Sequence, residues 1–456
     1  MDVSELLTIV GKDNFQDTPE VLDQYASDMS FVSPLRPRGK VKTKSFTEVQ
    51  ALIEWANKTL TPLIPLSSGA PHFRGDTVPT EPGALILDLS ELNKIIRVDR
   101  QNRVCMIEPG VTFAELVPTL AEAGLKLNLP LLPRQNKSVI ASMLEREPVL
   151  MPLYQWDALD PLTCIEVIFG NGKMFRTGSA AGPGSLEAQW AAGQAQVNPM
   201  GPGQIDLARV VQGSQGSMGV VTWTTVRCEA LPTIQKPYLV SAERLEKLSD
   251  FIYRLMRLKI VDECLVLNNA NIAAILAKDP EEYTQIRNLL PAWNLFFTLS
   301  GYEYFPEERV EYQQELMAQA AQQCGVKPVS GVSGITAGAL LKKLTKPSED
   351  PYWKIRFKAG SQDIFFITTL DKAQGFVDIM HNLAGQFGYP AVDMGMYIQP
   401  MIQGTSCHCE FTLSFDPENA AERKRVLDLY HAASERLLKA GAFYSRPYGA
   451  WADLAY

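Results

Sequence analysis

The spacing of apolar residues changes partway along this chain. In the first half they come in short bursts. Ser45-Phe46-Thr47-Glu48 reads as a capping box, and Val49, Leu52, Ile53 and Ala56 then follow the stripe of a buried helix face. Residues 62–66, 84–89 and 104–107 are short apolar strands. Glu108-Pro109-Gly110 is a turn, and Thr112 with Glu115 opens a second capped helix that stops at Gly124. Strand-like 164–169 and 173–177 flank Gly170-Asn171-Gly172, a hairpin signal. Residues 178–203, rich in Gly, Ala, Pro and Gln, read as irregular surface structure before strand signal returns at 219–228. From about residue 236 the helical patterns lengthen, at 242–258, 307–324, 371–387 and 418–440. Strands near 293–300, 362–369 and 407–415 separate them. The fold class this predicts is α+β, with an antiparallel sheet in the second half. The expected partition is 1–235, 236–420 and a C-terminal segment, 421–456.

Composition narrows the function classes. Lys and Arg total 43 against 51 Asp and Glu, a formal charge of −8, which gives no general attraction to nucleic acid or anionic membrane. Seven cysteines without a C-x-x-C pair fit a reducing compartment and no cysteine-ligated cluster. Four histidines, 72, 381, 408 and 431, make a three-histidine metal site a poor expectation. The first residues lack a basic region followed by an apolar run, and no stretch is long and apolar enough to span a bilayer. The expectation is a cytoplasmic chain without metal, nucleic acid or membrane span.

Dinucleotide sites of the Rossmann kind begin with G-x-G-x-x-G after a first strand, and this chain has none. A Walker A loop and a G-x-S-x-G elbow are also missing. Two other stretches carry chemistry. Pro65-Leu66-Ser67-Ser68-Gly69-Ala70-Pro71-His72-Phe73-Arg74-Gly75-Asp76 follows a strand with small residues, which let the backbone curl and aim N–H groups inward, as a pyrophosphate requires. An ordinary surface loop would read the same way. Gly213-Ser214-Gln215-Gly216-Ser217-Met218-Gly219-Val220-Val221-Thr222 places three glycines at intervals of three before a β-branched strand. Such glycines admit close approach by a ligand, by another backbone segment, or by the chain itself in a tight turn.

In this order and separation, the two stretches resemble the vanillyl-alcohol oxidase/p-cresol methylhydroxylase superfamily of FAD proteins, which includes glycolate-oxidase-type subunits. Leu87-Asp88-Leu89-Ser90, Ile107-Glu108-Pro109-Gly110-Val111-Thr112 and Arg176-Thr177-Gly178 extend the likeness over roughly residues 20–233. The resemblance implies a two-subdomain FAD-binding domain of the p-cresol methylhydroxylase type, with an α+β cap domain. It assigns the cofactor to Leu66, Ser67, Ser68, Gly69, Ala70, Pro71, His72, Gly75 and Asp76, with Pro133, Ser138 and Ser142 from a middle segment and Gly219, Val220 and Val221 from the later strand. Relatives commonly carry Arg-Gly-Gly-Gly-Thr where this chain has Ser67-Ser68-Gly69-Ala70-Pro71, and Gly-Gly where Ala141-Ser142 stand.

Residues 407–415 alternate strictly, with His408, Glu410, Thr412 and Ser414 on one face of a strand. Water or a pocket could lie against that face. The resemblance raises His408 to a pocket residue, a base or a covalent anchor, since relatives carry a histidine pair there. His72 is a second position for a tether, and non-covalent FAD is the expectation. Gly441-Ala442-Phe443-Tyr444-Ser445-Arg446-Pro447-Tyr448 is aromatic with one arginine, suited to a planar or anionic substrate. The phenol-oxidising branch has a Tyr-Arg pair there, so Arg446 and Tyr444 join His408 as candidate catalytic residues. Tyr154 and Trp156 could also face the flavin, and Lys354, Arg356 and Lys358 read as a basic strand edge.

The function expected is an FAD-linked oxidase or dehydrogenase. It would oxidise a hydroxyl-bearing or benzylic carbon of a small aromatic or carboxylate-bearing substrate. A separate iron–sulfur protein, cytochrome or electron-transferring flavoprotein would take the electrons, in a homo- or hetero-oligomer. Two alternatives stay open: a catalytically weak FAD-domain subunit of a larger redox assembly, suggested by the thinned glycine loops, and an NADPH-dependent flavin reductase of the same fold.

Overall fold

The computed structural model describes residues 4–152, 161–181, 184–191, 207–401 and 406–455. They form two compact units, one of residues 1–127, 135–147 and 160–229, the other of 128–134, 148–159 and 230–456. Tyr154 and Trp156 lie outside the described residues.

The elements of the first unit, in chain order, are α1 (Ser4–Val10), β1 (Phe15–Gln16), α2 (Pro19–Leu22), β2 (Gly39–Lys42), α3 (Phe46–Thr59), β3 (Leu63–Leu66), β4 (Leu85–Asp88), β5 (Ile95–Asp99) and β6 (Val104–Ile107). They continue through α4 (Phe113–Glu122), β7 (Leu125–Leu127), α5 (Val139–Leu144), β8 (Leu162–Phe169), β9 (Met174–Arg176), α6 (Leu186–Ala191), α7 (Ala208–Val211) and β10 (Gly219–Ala230). One sheet runs β1-β2-β4-β3, with β4 parallel to both neighbours. A second runs β5-β6-β10-β8-β9, with β7 on β10. The Ser45 hydroxyl accepts from the Glu48 N–H and starts α3, while the Glu48 carboxylate reaches one residue past the cap to the Lys44 N–H. The α3 stripe of Val49, Leu52, Ile53 and Ala56 then packs with Leu85 and Leu87 of β4, Ile168 of β8 and Val220 of β10. One core thus joins both sheets. Within 178–203, helix α6 corrects the expectation of irregular structure at 186–191, where Leu186 and Trp190 pack on Met106, Cys164 and Trp223; residues 182–183 and 192–203 lie outside the described residues.

The second unit holds β11 (Ile234–Ala242), α8 (Glu246–Leu258), β12 (Cys264–Asn268), α9 (Asn269–Leu276), α10 (Pro280–Leu289), β13 (Trp293–Gly301), α11 (Pro306–Cys324), the short hairpin β14 (Gly331–Val332) and β15 (Ile335–Thr336), and α12 (Ala337–Leu344). It ends with β16 (Gly360–Thr368), α13 (Leu370–Phe387), β17 (Met394–Met401), β18 (Ser406–Phe415), α14 (Ala420–Lys439) and α15 (Ala450–Ala455). Its six strands are ordered β11-β13-β12-β17-β18-β16, every pairing antiparallel. Helices α8, α11, α13 and α14 pack along the sheet. On the other face, Leu239, Leu265, Leu267, Phe296 and Tyr397 join the residues of α9, α10 and α12 and Trp353 in one core. Leu131, Leu132 and Leu150 belong to the same core, which is why two short segments from the first half of the chain fold here.

Lys354, Arg356 and Lys358 form no strand. They sit in a compact turn between α12 and β16, held by buried Trp353 and by Phe357 against the Tyr283 ring. Those aromatics are four residues apart, a turn-of-helix interval that the alternating charges mask.

Candidate functional site

The loop after β3 is tied down by its own unit. The Gly69 N–H donates to the Asn136 carbonyl at 2.9 Å, and the Asn136 amide donates back to the Ala70 carbonyl. A Cβ on Gly69 would lie 2.9 Å from the Asn136 amide, so the two segments touch as only glycine allows. The Ser138 N–H donates to the Ser68 hydroxyl at 3.1 Å, and the Ser138 hydroxyl donates to the Pro109 carbonyl at 2.6 Å while capping α5. Asp28 accepts the Gly75 N–H, and the His72 carbonyl accepts the Met29 N–H. Arg74 and Gly75 are consecutive left-handed residues, with φ of 67° and 75°, which turns the chain sharply.

Other groups around this loop remain unspent. The N–H groups of Ser68, Ala70 and His72 have no hydrogen-bond partner among the described residues. The Thr77 hydroxyl and the Asn136 side-chain oxygen are likewise buried without one. His72 is buried, its Nδ1 3.5 Å from an Asp76 oxygen and too poorly aligned for a hydrogen bond. Three N–H groups, a hydroxyl and an amide oxygen, unsatisfied at one loop, fit the pyrophosphate and ribose of a dinucleotide. Leu66 ends β3 with its carbonyl already taken by the Leu89 N–H.

Beside the loop lies a partly buried charge cluster. Lys137 contacts Glu147 at 2.6 Å and Glu145 at 3.1 Å, and Arg74 reaches the same two carboxylates at 3.8 and 3.4 Å. The Ser142 hydroxyl donates to Glu147 at 2.6 Å. Burial alone would raise the Glu147 pKa, but the nearby Lys137 and Arg74 outweigh it and hold that carboxyl well below the usual range.

The assignments outside the loop divide. Ser138 and Ser142 stand in the first unit with their side chains engaged as above. Pro133 belongs to the second unit, where its carbonyl accepts the Ser348 N–H at 2.7 Å. Gly213, Gln215 and Gly216 all have positive φ, so the spaced glycines make tight turns. Gly219 answers to a neighbouring strand: a Cβ there would sit 2.3 Å from the Ile168 carbonyl oxygen on β8. Val220 is core, packed with α3 and β4. Val221 is buried and pairs with Val167.

In the second unit the register of β16, β17 and β18 puts His408 opposite Ile367 and Gln399, and Glu410 opposite Phe365 and Tyr397. Directly opposed residues share a face. His408, Glu410, Thr412, Asp363 and Gln399 therefore form a polar area on the sheet face that also carries Tyr397 and Phe365, and His408 is only 3% exposed. Water does not cover it. Lys354, from the turn before β16, bonds Asp363 at 2.7 Å and Glu410 at 2.6 Å, with its side chain 7% exposed. The second Glu410 oxygen faces His408 Nε2 at 3.3 Å, and the Thr412 hydroxyl donates to Asp363 at 2.9 Å. Arg446 lies 4.2 Å over the Phe365 ring, a cation–π contact, and the His408 ring is 5.8 Å from that same ring.

Each charge state has a cause. Burial works against the Lys354 charge, yet Asp363 and Glu410 keep its pKa above the ordinary lysine value. Burial would raise Glu410, and Lys354 then His408 reverse this and hold it well below the carboxylate range. His408 is lowered, first by burial, against the pull of Glu410.

Tyr444 is a correction. Its hydroxyl donates to the Ser434 carbonyl of α14 at 2.9 Å, and its ring stacks on Trp451 and meets Phe366. Phe366 alternates with Phe365 along β16, so Tyr444 is on the helix side of the sheet, turned away from His408. Tyr448 stacks on Phe365, and its hydroxyl accepts from Gln362 Nε2 at 3.4 Å. Sequence reasoning missed Lys354 and Asp363 as site residues; only strand register and a turn join them to Glu410 and through it to His408.

Residues 37–178 match the FAD binding domain family. The glycolate oxidase subunit GlcD of Bacillus subtilis is 25% identical over 265 residues, 58% of this chain and 52% of that protein. The flavoprotein subunit of 4-cresol dehydrogenase from Pseudomonas putida is 27% identical over 187 residues, 40% of this chain and 35% of that one. This chain thus spans about half or less of the length of these curated relatives. Its fold matches the crystal structure of p-cresol methylhydroxylase with a TM-score of 0.82 at 19% identity, covering 97% of this chain and 89% of the other. No described helix is long and apolar enough to cross a membrane. With the matched domain and the shared fold in agreement, residues 37–178 carry an FAD binding domain, with FAD as the cofactor, on a chain that has the fold of p-cresol methylhydroxylase.

Proposed function

We propose that this protein is an FAD-linked oxidoreductase that oxidises a hydroxyl-bearing or benzylic carbon of a small aromatic or carboxylate-bearing substrate and passes the electrons to a separate acceptor. The observation that carries the reading is that Arg446 and His408 both lie against Phe365, a fixed cation and a lowered-pKa histidine on one buried aromatic ring. Arginine beside an apolar wall suits a planar anion, either a phenolate or a carboxylate.

FAD, when bound, supplies a two-electron acceptor that takes hydride from the substrate carbon. In the proposal it is held by the N–H groups of Ser68, Ala70 and His72 with Thr77 and Asn136. Leu66, Ser67, Gly69, Pro71, Gly75 and Asp76 shape the loop, and Ser138, Ser142 and the strand at Gly219, Val220 and Val221 support it. Arg446 orients the anionic group of the substrate. His408, kept neutral by burial, accepts the hydroxyl proton as the carbon–hydrogen bond breaks.

The test is anaerobic mixing of the yellow protein with aromatic alcohols, alkylphenols and 2-hydroxy acids, followed by flavin absorbance. Bleaching by one of these classes is the expected result. Bleaching by NADPH alone, or protein that stays colourless in excess FAD, overturns the reading. Acid precipitation of the same sample is expected to leave the flavin in the supernatant; colour in the pellet would mark a tether at His408 or His72.

A further inference from the structure

We propose that Lys354 is a positioning residue: through Glu410 it fixes the tautomer of His408, so that Nε2 carries the proton and Nδ1 presents the lone pair. The inference rests on the proposed role of His408 as a proton acceptor, but it concerns the geometry of the free site and can be read without turnover.

Lys354 bonds two carboxylates from two strands, Asp363 of β16 and Glu410 of β18. Asp363 is itself fixed by the Thr412 hydroxyl at 2.9 Å, so the lysine has an anchor independent of Glu410. One Glu410 oxygen accepts from Lys354 at 2.6 Å, which leaves the other, at 3.3 Å, to face His408 Nε2. An ionised carboxylate only accepts. A neutral His408 must therefore place its proton on Nε2, and the other ring nitrogen becomes the acceptor. Without the lysine, a buried glutamate takes up a proton, becomes a donor, and permits the opposite tautomer.

The groups facing His408 from every packed element agree with this. Glu410 stands on its own strand, Lys354 and Arg446 come from the turn and the C-terminal segment, and Tyr397 of β17 meets its ring edge-on at 5.6 Å. Lys354 and Arg446 both disfavour a charged histidine, and Glu410 alone favours it. Burial, Arg446 and Lys354 thus oppose the charged ring, while Glu410 selects the tautomer of the neutral one. Lys354 does not touch the reacting atoms in this arrangement, and a strand-edge lysine in water would do none of it.

The experiment is nitrogen-15 NMR of histidine-labelled, FAD-loaded protein between pH 5.5 and 8.5. Four histidines are present, and His408→Gln identifies the signal. Expected is the Nε2–H tautomer wherever the ring is neutral. Lys354→Met should give a mixture of tautomers or a protonated ring, and Lys354→Arg should restore the wild-type pattern. Glu410→Gln, which keeps the shape of the side chain and leaves the Lys354–Asp363 bond in place, should shift the population towards Nδ1–H even if Lys354→Met folds poorly. A wild-type Nδ1–H tautomer, or a His408 spectrum unchanged in both Lys354→Met and Glu410→Gln, overturns the proposal. Neither result depends on substrate, so failure here is distinct from failure of the oxidoreductase reading, which flavin bleaching decides.

Discussion

The loop at 67–77 and the polar face of the second sheet are both polar constructions, the first half-buried and the second buried, made from different parts of the residue. At the loop, the groups left for a ligand are mainly backbone N–H, while the nearby side-chain charges of Arg74, Lys137, Glu145 and Glu147 are spent on one another. On the sheet face the backbone is spent in the ladder and the side chains do the work: Lys354, Asp363, Glu410 and His408 are joined in one chain of contacts. A backbone site tolerates side-chain change as long as the curl survives. A side-chain site fails at single positions.

The largest break expected is Glu147→Gln, which leaves Lys137 buried with Glu145 as its remaining carboxylate near 3.1 Å. A loss of about 3 kcal/mol is expected from uncovering a buried charge, measured by denaturant unfolding. The sign in pH follows from the lowered Glu147 pKa. Its stabilisation is fully present above the ordinary carboxylate value and is lost as the pH falls through the lowered value of the folded state. The variant should therefore show a shallower loss of stability in acid than the parent.

Next is Arg446→Ala, expected to weaken binding of benzoate or a phenolate, read as flavin absorbance perturbation, by about 100-fold, or about 2.7 kcal/mol. Arg446→Lys should recover only part, because a lysine cannot lie flat on Phe365. Equal affinity in all three proteins would remove the anion-binding role.

Gly219→Ala sharpens the comparison from the other side. The new methyl would meet the Ile168 carbonyl, and a loss of about 2 kcal/mol is expected from overpacking. If glycine there serves the strand contact alone, FAD affinity in the folded fraction should be unchanged.

Smaller still is Thr77→Val, which removes a buried hydroxyl with no partner among the described residues. The flavin-free protein should be equally or more stable by thermal melting, while FAD affinity falls about 5-fold, near 1 kcal/mol. Loss of apo stability with unchanged FAD affinity would assign that hydroxyl to the fold.

Much of this is legible in the sequence. Helix α3 was readable because its cap residue and its stripe, Val49, Leu52, Ile53 and Ala56, depend on neighbours within one turn. The strict alternation at 407–415 was readable for the same reason, and it placed His408 beside Glu410 and Thr412. Lys354 was not, since its partners are 9 and 56 residues away and the charges around it imitate a strand. Tyr444 was misplaced because a loop at a sheet edge can send adjacent residues to opposite faces. Glycines 213, 216 and 219 fit a ligand, a neighbouring segment or a tight turn by spacing alone; two make turns and the third admits a carbonyl.

The C-terminal segment does one more thing. Phe443 and Ile367 exchange backbone hydrogen bonds of 2.9 and 3.1 Å along β16, the outermost strand of the six. That edge would otherwise offer open donors and acceptors to another chain. Cutting the protein after residue 440 would strip the strand and also uncover Phe365, which Tyr448 and Trp451 now flank. Such a truncation is expected to assemble into β-rich aggregates during expression, so an expression tag belongs at the other terminus.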